Sequence, residues 1–122
     1  MERIEEFSRE GKDFIYFDLS GFKSNDEFFR LIEESKPLVA KHAENSLYTI
    51  TNIKDVRFDS KTKEYVAEWM RHNEPYVRFG AVTGMDGIKK IMVNSIFDLS
   101  GRENMGAAAT KEGAIEWLLG RD

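Results

Sequence analysis

The chain has 122 residues and a mass of 14.1 kDa, the size of one domain, and its 18 Lys and Arg against 22 Asp and Glu leave a net charge of −4. That balance argues against a nucleic-acid binder, which carries a basic surplus, while the absence of cysteine excludes disulfides, thiolate zinc sites and cysteine nucleophiles together. Nine Phe, four Tyr and two Trp supply bulky core material despite 33% charged residues, so a folded domain is expected rather than a disordered chain.

Ile4 to Ser8 reads as a candidate edge strand, joined by a turn at Glu10-Gly11 to an aromatic and β-branched strand over Phe14-Ile15-Tyr16-Phe17-Asp18-Leu19. Ser24-Asn25-Asp26-Glu27 offers a capping box that opens a helix with Phe28, Leu31, Ile32 and Val39 on one face. Pro37 is expected to kink or split that helix, because it removes an internal N–H donor. Leu47 to Ile53 is the next strand. A second helix runs from about Ser60, capped by Asp59 or Ser60 and burying Val66, Trp69 and Met70, to about Glu74, since Pro75 disfavours helix before it. Tyr76 to Thr83 is a strand closed by Gly84. Asp86 caps a third helix through Leu99, followed by Gly101. Met105 to Ala109 is a weak strand demanded by the alternation, and Thr110 caps a last helix, Lys111 to Leu119, stopped by Gly120.

Strands separated by helices pair in parallel through crossovers, so the fold class is α/β with a candidate antiparallel strand at the N-terminal edge. There is no linker and no repeat, and residues 1–122 form a single domain. No apolar run approaches the roughly 20 residues of a membrane helix, and Met1-Glu2-Arg3-Ile4-Glu5-Glu6 is unlike the basic start of a signal peptide, so a cytoplasmic protein is expected.

Sites in such folds lie beyond the carboxyl ends of the strands. There Thr83-Gly84-Met85-Asp86-Gly87 is the candidate ligand-rim loop, although its spacing matches no nucleotide fingerprint and reads first as a tight turn with an N-cap. His42 and His72 stand near helix C-termini outside any metal-binding spacing, and no metal or cofactor is expected. Asp18, Asp55, Asp59 and Asp86 fall near the rim without a nucleophile or basic partner, so no catalytic constellation forms and the chain does not read as an enzyme. Ser60, in Asp59-Ser60-Lys61-Thr62, is a candidate phospho-switch, because a phosphate there meets the positive end of a helix. In the third helix, Ile88, Ile91, Met92, Ile96 and Leu99 form one face suited to burial, and Val93 and Phe97 lie outside it as a candidate interface for the same domain, a second copy or a lipid.

Phe14-Ile15-Tyr16-Phe17-Asp18-Leu19-Ser20-Gly21, Tyr76 to Gly84 with Gly87, Ile88 and Lys89, and Thr110 to Leu118 together resemble the STAS-like superfamily, in particular its SpoIIAA-like group. Ile96-Phe97-Asp98-Leu99-Ser100-Gly101 is similar to the helix end before the last strand of anti-sigma-factor antagonists. The resemblance implies a four-turn βα superhelix shared with those antagonists and with CRAL-TRIO lipid-transfer domains. It also implies binding to a partner protein under control of a serine at the start of the second helix, a position held here by Ser60. The antagonists' Asp-Ser-Ser-Gly-type run is replaced by Asp59-Ser60-Lys61-Thr62, without the glycine. The leading expectation is therefore a non-catalytic interaction module. The alternative is a carrier of a small apolar or lipidic ligand, which an internal cavity bounded by Phe28, Trp69 and Met92 would mark.

Overall fold

Residues 3–22, 24–57, 59–85, 91, 94, 98 and 104–121 are described by the computed structural model. Strands β1 (Ile4–Arg9) and β2 (Lys12–Asp18) form an antiparallel hairpin around Glu10 and Gly11, both in the left-handed region at φ 53° and 78°, as a two-residue turn between right-twisted strands requires. The chain continues through α1 (Asn25–Ala40), β3 (Leu47–Asn52), α2 (Ser60–Asn73), β4 (Val77–Thr83), β5 (Met105–Ala107) and α3 (Lys111–Leu119). The sheet order is β1-β2-β3-β4-β5, with every pair after the hairpin parallel. The fold is α/β, with an antiparallel N-terminal edge strand on an otherwise parallel sheet.

Period-two alternation in the central strands feeds two cores. Ile15, Phe17, Leu19, Leu47, Val77 and Val82 face one way and are covered by Phe28, Ile32 and Val39 of α1 and by Val66, Ala67, Trp69 and Met70 of α2. Phe14, Tyr48, Ile50 and Ala81 face the other way, under Ala114, Ile115 and Leu118 of α3. Trp69 anchors the first core: it lies edge-on to Phe17 at 5.0 Å, and its Nε1–H donates to Ser35 Oγ at 2.9 Å. The Ser35 hydroxyl in turn donates to the Ile32 carbonyl at 2.7 Å, so both buried polar groups of this pair are satisfied. On the opposite face the paired positions Phe7, Phe14, Tyr48 and Phe79 form a row of rings across β1 to β4, with Phe7 stacked on Phe14 at 5.0 Å.

Two expectations are corrected. Pro37 does not split the first helix: α1 runs unbroken from Asn25 to Ala40 with Pro37 inside it, since the proline forfeits only its own N–H bond to the preceding turn and the remaining bonds of the helix carry the chain past it. Of the predicted third helix only Ile91, Asn94 and Asp98 are described; all are helical and exposed, and Ile91, assigned above to the buried face, is 72% exposed. Its spacing of three and seven residues from Asn94 and Asp98 puts Ile91 on their polar flank, at the margin of the apolar arc.

Candidate functional site

The carboxyl ends of β2, β3 and β4 meet the N-termini of α1 and α2, and each loop there is built from its own side chains. The Asp18 carboxylate accepts from Ser20 N–H at 3.0 Å, from the Ser20 hydroxyl at 2.5 Å and from Asn52 Nδ2 at 3.4 Å. The other end of the Asn52 amide accepts from Lys54 N–H at 3.0 Å, which ties β3's exit to β2's. Gly84, at φ 81°, packs so closely on this bridge that a Cβ would stand 2.6 Å from Lys54 N and 2.8 Å from Asn52 Oδ1. Thr83 is buried, its carbonyl accepting from Ile53 N–H at 3.0 Å, and Met85 packs half-buried on the first core. At Thr83, Gly84 and Met85 the candidate rim loop is thus occupied by structural contacts; Asp86 and Gly87 lie outside the described residues.

At the start of α2 the capping residue is Asp59. Its carboxylate accepts from Thr62 N–H at 2.8 Å and from the Thr62 hydroxyl, while Asp59 N–H donates back to Thr62 Oγ1 at 3.0 Å. The Thr62 hydroxyl first, then its backbone N–H, with the Asn25 amide from α1 adding to them, hold the Asp59 carboxyl below the usual carboxylate range. Ser60 is the first residue of α2 and is exposed, next to exposed Lys61. The approach of Asn25 to Asp59 at the two helix starts was not foreseen, because no local spacing connects residues so far apart in the chain.

Beside these residues is a cleft of about 180 Å³ lined by Phe22, Asn25, Phe28, Asp55, Arg57 and Thr62, among others. Along the α1–α2 surface Phe29 stacks on Tyr65 at 4.1 Å, and the Tyr65 hydroxyl donates to Glu33 at 2.6 Å. Burial first, and then the hydrogen bond to Glu33, push the Tyr65 hydroxyl up to about 12. Lys36, 2.8 Å from Glu33, is the main cause of a lowered carboxyl there, with the Tyr65 hydrogen bond second.

The two histidines stand apart from this rim. His42, just beyond α1, has Nε2 4.0 Å from Glu6 and Nδ1 3.8 Å from Asp13, and His72 Nδ1 is 2.9 Å from Asn73 Oδ1. Among the described residues no group of three His, Asp or Glu is arranged to hold a metal ion, and no helix is long and apolar enough to cross a membrane. Of the cavity marker proposed for a carrier, Phe28 and Trp69 are each 3% exposed within a core of touching side chains, and Met92 lies outside the described residues. Val93 and Phe97 lie outside them too. No family model matches the chain, and no curated protein matches it.

Proposed function

We propose that the protein is a non-catalytic interaction module of the STAS-like, SpoIIAA-like type, which binds another protein through the rim at the start of α2 and is regulated at Ser60. The observation that carries this reading is the placement of Ser60: first in its helix, exposed, and flanked by the capping Asp59 and by Lys61. A phosphoryl group there would add a charge of about −1.5 to −2 beside a carboxylate already committed to Thr62. It would rewrite the charge of the rim while leaving the buried side of α2 untouched.

A cytoplasmic location belongs to the same reading. Affinity capture from the native host, with the parent chain and Ser60→Asp as baits, tests it. A partner held by the parent and lost from Ser60→Asp is expected, with matching circular dichroism and urea melts for the two chains. A partner held equally by both, or lipid co-purifying in native mass spectrometry, would overturn the reading.

A further inference from the structure

Among the described residues β1 is one of the two edge strands of the sheet, and its hydrogen-bonding groups divide cleanly between its two sides. Asp18 N–H donates to the Arg3 carbonyl at 2.7 Å, which makes Arg3 and Asp18 a bonded pair of the antiparallel ladder. Bonded pairs alternate along such a ladder, so Glu5, Phe7 and Arg9 turn their backbone groups toward β2, and Ile4, Glu6 and Ser8 turn theirs outward. Side chains alternate as well. Glu5, Phe7 and Arg9 share the α3 face, where Glu5 pairs with Lys111 at 3.0 Å, Arg9 pairs with Glu112 at 3.2 Å, and Phe7 stacks on Phe14.

A second copy fits this edge in one register far better than in its neighbours. Two-fold antiparallel pairing must set outward groups against outward groups. Centred on Phe7, it places Glu5 opposite the partner's Arg9 twice, Glu6 opposite the partner's Ser8 twice, and the two Phe7 rings side by side. Each Glu6–Ser8 pair exchanges both of its N–H···O bonds. Centred on Glu6, pairing would set Glu6 on its own copy and Arg3 against Arg9; centred on Glu5, it would set Glu5 on itself; centred on Ser8, the overlap shrinks to Phe7–Arg9. In the Phe7 register the intramolecular ion pairs join into a chain of alternating sign: Lys111, Glu5, then Arg9 and Glu112 of the second copy.

We propose that the outer edge of β1 is a homodimer seam, in which two copies pair antiparallel about a two-fold axis at Phe7 and merge their sheets into one. This surface is distinct from the rim at Ser60, so the two readings fail separately. Sedimentation across a concentration series, at low and high salt, tests the seam. The parent is expected to dimerise, and less so at high salt. Glu5→Arg and Arg9→Glu each set like charges opposite one another, and each is expected to weaken association by about tenfold or more. The double variant restores opposite charges across the seam, though not to Lys111 and Glu112, and should associate more tightly than either single variant. Glu6→Pro removes an outward N–H without touching the ladder to β2, and should give a monomer with unchanged circular dichroism. A parent that stays monomeric at the highest concentration overturns the proposal. So does a dimer that survives the single reversals, or single reversals that the double variant fails to rescue.

Discussion

Trp69 shows how one side chain serves several demands at once: its ring fills the space between α2 and β2, and its N–H is satisfied only because Ser35 on α1 faces it at 2.9 Å. Trp69→Ala removes the ring and also leaves Ser35 without its donor, so a loss of about 3–5 kcal/mol is expected in urea unfolding. A loss below about 1 kcal/mol would place Trp69 outside the core. Tyr65 carries a different signature. Its hydroxyl is raised to about 12 in the folded chain, above the ordinary value of about 10, so the folded state favours the protonated form. The stability tied to this group is fully present below about pH 10 and is lost as pH rises toward 12. Tyr65→Phe should therefore flatten part of the alkaline decline seen in chemical melts, and an unchanged decline would contradict the assignment.

At the scale of elements, the start of α2 rests on a reciprocal pair, Asp59 and Thr62, in which a short hydroxyl side chain stands where a longer Glu or Gln is usual. Because the Asp59 carboxyl is held below its ordinary range, its contribution to folding is present above the unfolded value and is lost as pH falls through the folded one. Asp59→Ala should therefore destabilise the chain at neutral pH, and the gap between variant and parent should close on acidification. A gap that persists unchanged in acid would assign the cap to another group. The hairpin turn, the Ser24 cap of α1 and the Thr110 cap of α3 were all legible from local spacing, since each depends on residues within three positions of one another. Ile91 was not. A helical wheel ranks residues around an axis but does not say which margin of an apolar arc meets the sheet, and Ile91 ended on the flank shared with Asn94 and Asp98.

For the whole molecule, the central strands have two buried faces, and α3 covers much of one of them from the far end of the chain. A chain ended before Thr110 would uncover Phe14, Tyr48, Ile50 and Ala81, each large side chain giving up roughly 1.5–3 kcal/mol of burial. Such a truncation is expected to aggregate or to bind a hydrophobic dye, whereas a stable, dye-silent fragment would show that the first core suffices alone. The alternation of strand and helix patterns determined the α/β class, the antiparallel first strand and the last helix, because periods of two and of 3.6 residues are written in neighbouring positions. The sequence also placed Ser60 at the opening of its helix. Only the tertiary structure decided what crosses between elements: the closure of Gly84 on Asn52 and Lys54, the bridge from Asn52 to Asp18, the ring row from Phe7 to Phe79, and the outward-facing groups of β1. These depend on strand register and on the approach of elements distant in the chain, which local spacing does not encode.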